Sequence, residues 1–163
     1  MADDGRILYA RRGDTCILRF EGPIRYTIAH ALDTFLDDLF ASEPPHAVVA
    51  DLSDAESIDS TGIGLLAKIA KCQRRAGFGN PVLFSSSPDI NEVLCSVCLD
   101  DVFQLAEGKP DVQAGDSLSA TEPSAPDLAR SILEAHRALA ELSDSNRAMF
   151  RDVIDGLSRE LQA

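Results

Sequence analysis

The stretch that most constrains this chain is an apolar run, Ala47–Leu52 (AVVADL), followed shortly by Glu56–Leu66 (ESIDSTGIGLL). A continuous apolar run of this length predicts a strand buried on both faces of a sheet. Beyond it, Ile63, Leu66, Ala67, Ile69 and Ala70 recur at helical spacing, which predicts a helix over Gly64–Arg75. Arg74 and Arg75 fall in its last turn, with Gly77 and Gly79 beyond, the usual helix stop. A strand, a Ser/Asp/Glu-rich loop and an amphipathic helix in succession call for a sheet with helices packed against it.

The flanking segments extend that pattern. Arg6–Arg11 and Thr15–Glu21 are short apolar-bearing runs around Gly13-Asp14, which predicts a β-hairpin ended by Gly22-Pro23. Ile28, Leu32, Phe35, Leu36, Leu39 and Phe40 form a helical stripe opposed by Asp33, Asp37 and Asp38, and Pro44-Pro45 stops it. Pro81–Ser85 predicts another strand, Pro88–Leu99 a short helix, and Val102–Leu105 an edge strand. The order β-β-α-β-α-β-α-β points to an α/β or α+β sheet with helices against it over residues 1–107.

Gly108–Pro126, with three prolines and two glycines, is expected to be a linker with too little apolar matter to pack. From Asp127 a stripe resumes: Leu128, Ile132, Ala135, Leu139, Leu142, Met149, Val153 and Leu157. Ser143–Ser145 bends or breaks it, so residues 127–163 are expected to form one C-terminal helix or a helical hairpin. Two arrangements stay open: packing against its own sheet, or pairing with another chain as a homodimer or with a partner helix.

Charge narrows the function. With 15 basic and 27 acidic side chains the net charge is −12, which disfavours nucleic acid and anionic membranes as partners. The polar start, MADDGRILYARRGD, has no secretory pattern, and no apolar run reaches the ~18 residues of a membrane span, so a cytoplasmic location is expected. The four cysteines are then expected to be reduced thiols, and the Cys95-Ser96-Val97-Cys98 pair, lacking a second CxxC or a histidine at ligand spacing, to be buried thiols with no metal. Asp51 and Asp59 do not read as an acid–base pair, because His30, His46 and His136 sit on helix faces or beside prolines and supply no base to a nucleophile. No cofactor motif is present; Gly77-Phe78-Gly79 lacks the Lys-Ser/Thr of a phosphate loop. No catalytic residue is assigned and an enzyme is not expected.

What remains is Asp59-Ser60-Thr61-Gly62-Ile63-Gly64 at a helix start. Hydroxyls there commonly cap the helix. The same place tolerates a phosphate, because free N–H groups and the positive end of the dipole point at it. A phosphate adds roughly −1.5 to −2 charge, enough to disrupt docking without unfolding the domain. A small-molecule or nucleotide-binding α/β regulatory domain, holding an anion at that helix end, is the alternative.

The run VVADLSDAESIDSTGIGLLAKIAKCQRR resembles the signature of the STAS domain, the fold of bacterial anti-sigma factor antagonists of the SpoIIAA and RsbV type. The matching positions are Asp51-Leu52-Ser53 and Asp59-Ser60-Thr61-Gly62-Ile63-Gly64. A STAS domain with such a tail is similar to the HsbA-type antagonists of Gram-negative bacteria. The resemblance implies partner switching: the unphosphorylated form binds an anti-sigma factor, often itself a serine kinase, and frees a sigma factor. Phosphorylation abolishes binding, and a metal-dependent serine phosphatase restores it. It implies Ser60 as the acceptor, with Asp59, Thr61, Gly62, Ile63 and Gly64 forming the switch loop and partner-binding surface.

Overall fold

In the computed structural model, residues 4–110, 115–118 and 122–163 are described. Six strands form one sheet in the order β5-β4-β3-β2-β1-β6. β1 (Arg6–Arg12) and β2 (Thr15–Ile24) are an antiparallel hairpin. Its turn needs a left-handed residue, and Gly13 supplies it at φ 59°. β3 (Ala47–Ile58), β4 (Val82–Phe84) and β5 (Gln104–Ala106) add in parallel. The segment expected to be a linker contributes β6 (Asp116–Ser117), which pairs antiparallel with β1, and Leu118 packs on the core.

Five helices accompany the sheet: α1 (Ala29–Ala41), α2 (Ser60–Arg75), α3 (Pro88–Ser96), α4 (Ala125–Ala140) and α5 (Asp144–Gln162). All five send apolar side chains into the same cluster, where they meet Cys16, Leu18 and Phe20 of β2 and Val48, Ala50 and Leu52 of β3. Alternation along both strands puts these residues on one face. The opposite face carries only a small cluster, Leu8 and Ile17 with Ala10 and Val49. The expectation that β3 is buried on both faces is therefore corrected: Val49 is half-buried, because the helices stack on one side.

β3 also runs further than its apolar composition suggests. Ser53–Ile58, expected to be loop, continues the strand because the far end of β2 pairs with it: Glu21 opposes Asp54, Gly22 opposes Ala55, and Ile24 opposes Ile58. Two register shifts lie along this stretch. Pairing rather than propensity makes these residues extended. The extension delivers Asp59 to the start of α2 at the edge of the core.

The cysteines divide by position. Cys16 is buried, and burial pushes its thiol up to about 11. The expectation of buried thiols at the CxxC is corrected, since Cys95 is exposed and Cys98 half-buried. In α3 the buried stripe is Ile90 and Leu94, which turns Cys95 outward. Alkylation with iodoacetamide, mapped by peptide mass, is expected to modify Cys95 at least about a hundredfold faster than Cys16, which offers little thiolate and no access. Comparable rates would contradict this packing. Among the described residues no group of three His, Cys, Asp or Glu side chains lies close enough to hold a metal ion, and no helix is long and apolar enough to cross a membrane.

Candidate functional site

Asp59, not a hydroxyl residue, caps α2. Its backbone is extended, one carboxylate oxygen accepts from the Gly62 N–H at 2.8 Å, and the other accepts from the Tyr26 N–H at 2.9 Å. The Asp59 N–H donates to the Ile24 carbonyl at 3.0 Å. One side chain thus satisfies an orphan amide of the helix and ties the helix start to the end of β2. Asp59→Ala is expected to lower stability by about 1–2 kcal/mol, since a cap and a second amide bond are lost together. Urea unfolding checks this, and an unchanged midpoint would reject the cap.

With the cap assigned to Asp59, the Ser60 hydroxyl is free for another partner. It meets the imidazole Nε2 of His136, on α4, at 2.9 Å. The other ring nitrogen, Nδ1, faces the Ile132 carbonyl at 2.8 Å and must donate to it. A neutral ring in that tautomer accepts the Ser60 proton at Nε2. His136 is 3% exposed, whereas Ser60 is half-buried. The edge of the imidazole also meets Phe150 of α5, with ring centroids 5.7 Å apart.

Sequence reasoning missed His136, which it placed on a helix face without a partner. A signal was present: His136 lies four residues after Ile132, within the apolar stripe, so its side chain points into the packed face of α4. A hydroxyl bonded to an oriented imidazole is also a nucleophile–base geometry. A substrate would have to reach the Ser60 oxygen, however, and none of the five cavities described is lined by Ser60 or His136. An opening of about 500 Å³ lies instead between β1, α1 and the segment around Leu118. The pair orients the hydroxyl and holds its proton inward.

The other residues of the run are buried. Thr61 and Ile63 are each 4% exposed, and Gly62 and Gly64 are enclosed as well. The two glycines serve different contacts. A Cβ on Gly62 would lie 2.8 Å from Ile58 and 3.1 Å from Ile24, both side chains of the sheet. A Cβ on Gly64 would run into the Ala135 carbonyl, so this glycine lets the backbones of α2 and α4 approach closely. Asp51, buried within β3, accepts from the Ser53 N–H at 2.9 Å and from the Ser53 hydroxyl. Asp51 is engaged by Ser53, and Asp59 by the Gly62 and Tyr26 amides.

Further along α2 the seam with α4 is charged. Lys68 pairs with Asp33, with Asp37 at 3.2 Å and with Glu134 at 3.5 Å, while the Ser131 hydroxyl donates to Asp33 at 3.1 Å. One cation facing three carboxylates leaves excess negative charge. Burial first, then Glu134 and Asp38, push the Asp37 carboxyl above its ordinary value. Lys71 reaches Glu141 at 3.0 Å.

The model of the STAS domain matches residues 6–114, about two thirds of the sequence. The chain belongs to the STAS domain family. Among solved structures, this STAS chain resembles the Thermotoga maritima protein TM1081, described as a candidate anti-sigma factor antagonist. They share 26% identity over 63% of this chain and 86% of that one, with a TM-score of 0.55. An anti-sigma factor antagonist from Mycobacterium paratuberculosis shares 23% identity over 62% of this chain and 84% of that one, with a TM-score of 0.52. The Bacillus cell fate determinant SpoIIAA in its phosphorylated form has the same fold, at 15% identity, over 61% of this chain and 90% of that one, with a TM-score of 0.52. No curated protein matches significantly. The expected STAS fold stands, a mixed α/β sheet flanked by helices with further helices at the C-terminal end, and its sheet is SpoIIAA-like with six strands among the described residues. Those two helices, α4 and α5, lie outside the family match.

Proposed function

We propose that this STAS protein is a non-enzymatic anti-sigma factor antagonist, acting by partner switching with Ser60 as its phosphoacceptor. The unphosphorylated form binds an anti-sigma factor and so frees a sigma factor. A serine kinase closes the switch and a serine phosphatase reopens it. The observation that carries this reading is the place of Ser60: first residue of α2 in a STAS domain, beside a cap that uses Asp59 and leaves the hydroxyl for other chemistry. A phosphate there sits at the positive end of a helix of 16 residues and adds charge at a protein-docking face. Asp59, Thr61, Gly62, Ile63 and Gly64 shape that face.

Peptide mass mapping of protein from its native cells tests the reading. A phosphate on the peptide carrying Ser60, absent from a Ser60→Ala chain, is the expected result. A chain that carries none under any growth condition, and binds its anti-sigma factor equally as Ser60→Asp and as Ser60→Ala, would overturn it. The nucleotide-binding alternative predicts competition by inorganic phosphate in calorimetry, and no observed cavity adjoins Ser60 to favour it.

A further inference from the structure

The same hydroxyl that serves as the switch is engaged from within. Ser60 donates toward a histidine 76 positions away, on a helix the family match does not include. Gly64, four residues along the same face of α2, is in contact with the Ala135 carbonyl of that helix. Lys68 and Lys71, further along, pair with Glu134 and Glu141 of the same hairpin. Four positions spread over about three turns of α2 are therefore occupied by α4 and its C-cap, through one hydrogen bond, one close backbone approach and two ion pairs.

A kinase needs the Ser60 oxygen free and open to in-line approach by a phosphoryl group. Here the proton points at an imidazole that is itself 3% exposed. A protein that docks on Gly64 would meet the Ala135 backbone in the same space. The contacts suit a reversible seam: small residues at the closest approach and ion pairs along the rim.

We infer that the α4–α5 hairpin is a built-in shield of the switch helix: docked, it withholds Ser60 and Gly64 from kinase and anti-sigma factor alike, and its release makes both available. This rests on Ser60 being the switch, and it adds a second control upstream of the phosphate. His136 is the latch on the hydroxyl, and Ala135 is the block on the docking face.

Accessibility at position 60 tests the shield in the full chain without knowledge of the partner. In a Ser60→Cys chain, iodoacetamide labelling resolved by peptide mass is expected to be about tenfold or more slower at position 60 than at Cys95. Two opening variants are then added separately. Gly64→Ala drives a methyl against the Ala135 carbonyl while favouring helix in α2. Ala135→Glu places a charge at a residue that is 0% exposed. Each is expected to raise labelling at position 60 by about tenfold or more while Cys16, 0% exposed in the core, stays unlabelled. Position 60 labelled as fast as Cys95 from the outset, or unmoved by either variant, would overturn the shield. So would simultaneous labelling of Cys16 in both variants, because the hairpin would then not release as a unit.

A second arm separates this from the switch itself. Phosphate occupancy of Ser60 in native cells is compared between the unaltered chain and Ala135→Glu. Higher occupancy in the variant is the expected result. Phosphate present at equal occupancy in both removes the shield and keeps the switch. Phosphate in neither removes the switch, and the labelling arm still decides whether the hairpin covers position 60.

Discussion

Ser60→Asp is expected to weaken binding to the anti-sigma factor by several hundredfold, while Ser60→Ala stays within about fivefold of the unaltered chain. The asymmetry follows from what each change does. Ser60→Ala removes one hydrogen bond, the one to His136, worth about 1 kcal/mol, and removes it from the hairpin seam and not from the body of the STAS domain. Ser60→Asp puts a carboxylate where a docking partner would desolvate it. An unpaired charge in such a place costs about 3–5 kcal/mol, a factor of a few hundred or more in affinity. Phosphate, carrying roughly twice the charge, acts in the same direction more strongly. Titration calorimetry of both variants against the anti-sigma factor measures this. Equal affinities for all three forms would remove the charge gate.

Leu66→Ala is expected to cost about 3–4 kcal/mol of stability and to lower the melting temperature by about 10 °C. Leu66 is 0% exposed near the middle of α2, the helix flanked by both α1 and α4, and it belongs to the main core cluster. Deleting its isobutyl group removes buried apolar surface and leaves a void that rigid neighbours on several elements fill poorly. The matched control is Val153→Ala on α5, where a side chain 44% exposed should change stability by less than about 0.5 kcal/mol. Thermal and urea unfolding distinguish the two. A Leu66→Ala chain as stable as the control would mean that α2 is not where the core is held.

Much of the STAS body was legible in the order of residues, for local reasons. The hairpin around Gly13 and the helices with 3.6-residue stripes follow from short-range geometry, and so does the helix stop near Gly77 at φ 90°. Departures from the sequence reading occur where a distant element decides. Ser53–Ile58 has loop composition and becomes strand because β2 extends alongside it. Cys95 faces outward because the buried stripe of α3 runs through Ile90 and Leu94. The cap fell to Asp59 and not to Ser60 or Thr61, because Asp59 alone satisfies both Gly62 and Tyr26.

The amino-acid order by itself determined the succession of strands and helices and the Asp59–Gly64 signature at a helix start, since periodicity, glycine placement and an acid before a helix act over a few residues. It left open what the C-terminal stripe would cover, because an apolar helix face fits its own domain or a neighbour's equally well and the long connection permits either. Only the tertiary structure decided that: α4 lies on α2, with Ala135 against the one glycine that admits it and His136 on the Ser60 hydroxyl, contacts between residues some 70 positions apart that no local rule relates.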